Sequence, residues 1–227
     1  MPVFLVQQEF VDKSDFFRFF RNREKNIRLL GEFDDRFDVE QHVVLSAVLD
    51  SLAAYWEKIE KLRKPLSGRK RMQQFLAKHA QIDIWSRCSH SNLIYRSAHL
   101  SQEQQNTLKS ILPQHGRTSA VRTFEIDPLL SELVQYKQLK AVAINEEWLE
   151  HSCYSQLLYK EYRNSWLHAL DPGIKIDVSK FSPVPYYQNY NGQYDLCLPK
   201  QFIIETLSAA LDSLEKTMPD DIRISLD

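Results

Sequence analysis

The sequence predicts an all-α protein: a helical bundle with a small β-hairpin between a long, polar-tipped helix and the last helix. Three observations carry that expectation. Apolar residues recur at mixed steps of three and four through residues 14–30, 39–63, 145–171 and 201–217, the spacing of a helix face. Asn191-Gly192 is a strong hairpin turn signal, with Tyr186-Tyr187-Gln188-Asn189-Tyr190 before it and Tyr194-Asp195-Leu196-Cys197-Leu198 after it. The chain holds only 5 glycines, which argues against the large nucleotide-binding folds built on glycine turns. With 227 residues and 43% hydrophobic composition, a single domain over residues 1–227 can bury a substantial core.

The first stretch, MPVFLVQQEFVDK, has no basic start and no long apolar run, so it reads as neither a signal peptide nor a membrane span. Residues 14–30 follow as a helix capped at Ser14 or Asp15, with Phe16, Phe17, Phe19, Phe20, Ile27 and Leu30 on a broad apolar surface. Its arginines and Lys25 form either a solvated face or a surface that tracks phosphates. Residues 39–63 form the clearest amphipathic helix, on the stripe Val44, Val48, Ser51, Leu52, Tyr55, Ile59 and Leu62. Antiparallel packing against the first helix is its natural arrangement. Ser46 and Asp50 share a face of it and are placed to support a site on a neighbouring helix. A basic loop around Pro65 and Gly68 then breaks the chain before a helix over residues 73–80.

Residues 82–142 read as an insertion packed beside the bundle, with a helix from Ser101 to Leu112, a strand or loop near Val121 and a helix from Pro128 to Lys140. Cys88, His90 and His99 fall here, but their spacing fits no zinc pattern, so no metal site is assigned. After the long helix the composition turns to Pro, Gly and Tyr, and residues 183–199 form the hairpin. Its tyrosines have two possible fates, packing on the bundle or stacking on unpaired bases. The final helix covers residues 201–217, and the tail PDDIRISLD extends or frays.

Bulk chemistry narrows the function. A formal net charge of −1 argues against a dedicated non-specific nucleic-acid binder, so contact with RNA would need local basic patches. Three widely spaced cysteines without a CxxC pair point to a reducing cytoplasm rather than a disulfide framework. No phosphate loop, HExxH or GxSxG is present, and no cofactor is implied.

The stretch Asn145–Asp171 reads as one helix, capped by Asn145, with Glu146 and Glu147 in its first turn and Pro172-Gly173 beyond its end. Arg163, Asn164 and His168 lie in its last two turns. Arg163-Asn164-Ser165-Trp166-Leu167-His168 resembles the Arg-x4-His signature of the HEPN superfamily, helical proteins that are often metal-independent ribonucleases. Arg163 matches the motif arginine, Asn164 the polar residue that commonly follows it, and His168 the motif histidine. Arg36 and His42 satisfy a looser form, but Phe37 follows Arg36 where a polar residue would be expected.

The resemblance implies an HEPN-like bundle and a toxin or defence effector that cuts RNA, held in check by an antitoxin-like protein partner. On a helix, Arg163 and His168 stand about 140° apart, so one helix does not aim both at one phosphate. Composite sites formed in HEPN dimers resolve that difficulty, and the resemblance therefore implies a homodimer. Chemically, His168 can move a proton near neutral pH, Arg163 can hold two phosphate oxygens, and Asn164 can orient His168. The same residues have a structural alternative, in which Arg163 pairs with Glu161 or Glu147 and His168 caps the helix C-terminus. The corresponding second function is a non-catalytic HEPN-like binding or scaffold protein that dimerises and binds a nucleotide, RNA or a protein.

Overall fold

Asp12 starts the bundle. Its Oδ1 accepts from the Asp15 backbone N–H at 2.8 Å and from Ser14 Oγ at 3.0 Å, which satisfies one of the free donors at the start of α1 (Lys13–Phe33). The cap falls ahead of Ser14 because a strand, β1 (Phe10–Asp12), runs straight into the helix. Residues 10–33, 38–60, 64–80, 82–112, 121–164, 168, 176–177, 183–190 and 193–225 are described by the structure, a computed structural model.

The architecture is an all-α bundle with a small sheet. Phe16, Phe17, Phe20 and Ile27 of α1 are buried against α2 (Asp38–Ile59), which also packs on α3 (Gly68–His79). The last helix, α11 (Lys200–Thr217), lies against all three through Phe202, Ile203, Leu207, Leu211 and Leu214. The stripe expected on α2 is partly rotated: its Val48 and Leu52 are buried, but so are Leu45, Leu49 and Trp56 beside it, whereas Val44, Tyr55 and Ile59 are only partly so and Ser51 is exposed. A helix enclosed by several partners buries more than one face, so a single stripe marks only part of its buried surface.

Between α3 and α11 run short elements: α4 (Ile82–Trp85), α5 (His90–Ser97), α6 (Gln102–Ile111), β2 (Val121–Thr123), a 3-10 turn at Phe124–Ile126, α7 (Leu130–Leu133) and α8 (Lys137–Ala141). Ser101 caps α6 in a reciprocal capping box with Gln104. The helix expected from Pro128 to Lys140 is two short pieces. Ile84 and Trp85 of α4 join the first core, and the segments from Cys88 onward enclose a second core of Cys88, Leu93, Leu108, Leu133, Leu139 and Ile144, joined by Leu149 and Cys153 from the next segment.

The Asn145–Asp171 stretch is not one helix. Asn145 does cap α9 (Glu146–Glu150), its Oδ1 accepting from the Trp148 N–H at 2.8 Å. The helix then stops: Ser152 O accepts from Ser89 N at 2.8 Å and Tyr154 N donates to Arg87 O at 2.9 Å, so Cys153 pairs with Cys88 as in a strand. Backbone groups engaged across the fold cannot also serve the helical ladder. The chain resumes as α10 (Tyr154–Leu157) and passes into a π-helical turn, Leu158–Arg163.

Beyond it, β3 (Ile176–Asp177), β4 (Tyr186–Tyr190) and β5 (Gln193–Cys197) join β2 in one sheet of order β2-β4-β5-β3. The expected hairpin is its centre, β4 and β5 pairing antiparallel from Tyr186–Cys197 to Tyr190–Gln193; Asn191 and Gly192 lie outside the described residues. The tail forms β6 (Arg223–Ser225), antiparallel to β1. Among the described residues, no helix is long and apolar enough to cross a membrane.

Candidate functional site

Two elements bring the Arg163 site together: the π turn, which carries the arginine, and α2, which packs against it. In the turn the Asn164 N–H bonds to Tyr159 O, five residues back, and the wider winding sets Arg163 over the Tyr159 ring, 5.1 Å from Cζ to the ring centroid. Single π turns inside helices often occur at functional positions.

From α2, Asp50 Oδ2 accepts from Arg163 Nη2 at 2.6 Å. Arg163 Nη1 donates to the side-chain oxygen of Asn164 at 2.8 Å. The guanidinium is thus held on two edges and one face. Its side chain is 20% exposed and that of Asp50 is 17% exposed, so this is not a solvent-screened surface pair.

Asp50 is shared. Its Oδ1 lies 3.4 Å from Arg71 Nη2, and Arg71 Nη1 reaches Glu57 Oε2 at 3.3 Å. The cluster of Arg71, Arg163, Asp50 and Glu57 balances its charges and ties α2, α3 and the π turn together. Three buried atoms here, Arg71 Nε, Arg163 Nε and Ser46 Oγ, have no hydrogen-bond partner among the described residues.

Of the three residues that the motif singles out, Arg163 and Asn164 are in direct contact, and His168 is exposed. Residues 165–167 lie outside the described residues. The support foreseen from α2 is present at Asp50, whereas Ser46 makes no hydrogen bond to the site. The local partners considered for Arg163 are not used: Glu161 pairs with Lys160 at 2.6 Å. Arg71 and Tyr159 were not singled out. A four-residue step from Tyr159 to Arg163 was the available signal for the ring; nothing local distinguishes Arg71 within its basic run.

Other sequence candidates resolve as structure. His42 is buried, and its Nδ1 lies 2.6 Å from the hydroxyl of Tyr162; Arg36 lies outside the described residues. Cys88 Sγ lies 3.4 Å from Cys153 Sγ in the second core, and among the described residues no group of three His, Cys, Asp or Glu is placed to hold a metal. Tyr186 and Tyr187 are buried, which takes their faces from any base. Comparison with family models, characterised proteins and solved structures finds no match to this chain.

Proposed function

We propose that this chain is a metal-independent endoribonuclease of single-stranded RNA, with a toxin or defence role, acting through Arg163, Asn164 and His168. The observation that supports this reading is the preorganised guanidinium: Asp50, Asn164 and Tyr159 fix its position before any substrate arrives. Donors that need no rearrangement stabilise a developing phosphorane charge best. In the reaction the substrate 2′-oxygen attacks phosphorus and the P–O5′ bond breaks. His168 relays the proton from the 2′-hydroxyl to the leaving oxygen, leaving a 2′,3′-cyclic phosphate. A second copy of the chain would supply the partner half of the site, and an antitoxin-like protein would restrain it.

The second reading, a non-catalytic protein that binds RNA, a nucleotide or a protein, is favoured by the same ion pair. Asp50 neutralises the charge that catalysis would use, and the Asn164 oxygen is occupied by Arg163 rather than directed to His168. One experiment separates the two. Purified protein is incubated with labelled single-stranded RNA in chelator, beside Arg163→Ala and His168→Ala. The nuclease reading expects cyclic-phosphate ends and a loss of about 10²-fold or more in either variant. No cleavage, or equal cleavage by all three proteins, leaves the binding reading. A solution mass of one chain per particle removes the composite site.

A further inference from the structure

The segment that carries Arg163 has another polar side. Gln156, Leu157, Lys160 and Glu161 line a cleft of about 480 Å³ that Arg163, Asn164 and His168 do not line. Its remaining walls come from α3, α5 and the turn after α9, supplying Arg69, Asn92, Tyr95, Arg96, His99 and His151. The volume falls among small-ligand sites, which run from about 300 to 1,000 Å³.

Charge is the distinguishing feature. Arg69, Arg96 and Lys160 face one space with a single carboxylate, Glu161, already engaged by Lys160 at 2.6 Å. Arg96 Nη1 donates to Trp148 O at 2.5 Å and Ser152 Oγ at 3.2 Å, and its guanidinium stacks 4.5 Å from the Trp148 ring. Arg69 Nη1 lies 2.7 Å from His151 Nδ1. All of these partners are neutral when His151 is unprotonated, and among the described residues neither arginine has an ion pair with a carboxylate. Burial, then the charge of Arg69, lowers the pKa of Arg96; burial, then Arg96 and Arg69, lowers that of His151, against the raising effect of the Glu147 and Glu150 carboxylates. Like charges crowded around a partly desolvated space are unfavourable unless an anion joins them.

A second observation concerns a different kind of group. Gln156 is 2% exposed; its Nε2 donates to Gln73 Oε1 at 2.7 Å, while its own Oε1 is buried with no hydrogen-bond partner among the described residues. A buried acceptor left unmatched costs free energy, and a ligand N–H or O–H removes that cost. Tyr95, 55% exposed, also lines the cleft.

We infer that this cleft binds a nucleoside phosphate monoester, the phosphate bridging Arg69 and Arg96 beside Lys160, with a sugar or base donor on Gln156. Two guanidinium forks match the oxygens of a phosphate dianion better than a lone carboxylate does. The inference stands apart from the nuclease reading, because no residue of that site lines the cleft. A protein that cuts no RNA can still bind here, and a cutting protein can fail to.

The test is calorimetric titration of the full chain with 5′-AMP, adenosine and inorganic phosphate. Arg69→Gln and Arg96→Gln are compared with Arg18→Gln, which removes an exposed cation from α1. Saturable binding of 5′-AMP at one per chain is expected, weakened about 10- to 100-fold in Arg69→Gln and within about twofold of wild type in Arg18→Gln. Adenosine should bind at least about tenfold more weakly than 5′-AMP. Arg96 also holds Trp148 and Ser152, so if its variant unfolds, Arg69→Gln and Lys160→Gln decide. An oligoribonucleotide with a 5′-phosphate, set beside its 5′-hydroxyl form, distinguishes an RNA end from a free nucleotide; preference for either phosphorylated probe supports the site. Absence of saturable binding of both 5′-AMP and the 5′-phosphorylated oligoribonucleotide overturns it, as does equal affinity for the forms without phosphate or equal loss in Arg69→Gln and Arg18→Gln.

Discussion

Asp50 shows how one carboxylate can set the character of a site. It accepts from Arg163 and from Arg71, so its removal leaves two cations near each other with Glu57 as the remaining anion of the cluster. Removing Arg163 instead leaves Asp50 still paired with Arg71. Asp50→Ala is therefore expected to cost about 2–3 kcal/mol in urea denaturation, and Arg163→Ala about half as much. Equal costs would mean that Arg71 contributes nothing at Asp50. Part of this arrangement was readable beforehand, since Ser46 and Asp50 share a helix face and a packed neighbour could receive them. Which of the two would be used was not: that depends on the rotation of α2, and its stripe was misplaced toward Val44 and Tyr55, away from the buried Leu45 and Leu49.

The starts of helices with strong local signals were readable. The helix expected from Ser101 is α6, and Asn145 marked the start of α9, because a cap and its first turn are adjacent in sequence. The break after α9 was not readable, because its cause lies more than sixty residues away, where Cys88 pairs with Cys153. Hydrophobic spacing continues through the break, since α9 buries Leu149 and α10 is buried throughout. The start of α3 was also missed, Gly68 reading as a helix breaker although it opens the helix after the cap residue Ser67. This glycine is needed for space. A Cβ there would collide with the Tyr159 hydroxyl, on the ring that carries Arg163. Alanine is ordinarily the better helix former, by about 1 kcal/mol. At this position Gly68→Ala should instead destabilise by about 1–3 kcal/mol, because the Tyr159 ring must shift. Denaturant midpoints of Gly68→Ala and Gly68→Ala/Tyr159→Phe test this, and the double variant should recover part of the loss. A stabilised single variant would show that the ring moves freely.

Across the whole molecule there are two cores, and the stretch expected as a single helix passes from one to the other: Leu149 and Cys153 belong to the second, and Tyr154 and Leu157 to the first. Asp127 sits where the two cores meet. Its carboxylate accepts from the Tyr154 hydroxyl at 2.6 Å, from Tyr187 of β4, and from the His90 N–H of α5 at 3.1 Å. No sequence pattern pointed to it, since the three donors come from separate parts of the chain. Burial pushes its pKa from 3.8 up to about 6, against the lowering effect of the tyrosine hydrogen bonds. The folded protein therefore binds an extra proton between those values, and the contribution of this group to stability grows as pH falls through 6 and is lost as pH rises. His79 and His151, whose pKa values burial lowers, act in the opposite sense below the usual histidine range, so the melting curve of the wild type alone would mix the effects. Subtracting Asp127→Asn isolates the carboxyl group. The stability of wild type minus variant should rise by about 1.4 kcal/mol per pH unit between pH 6 and 4, and be flat above pH 7. A flat difference throughout would show that Asp127 stays ionised at the seam, its charge carried by the hydroxyls of Tyr154 and Tyr187.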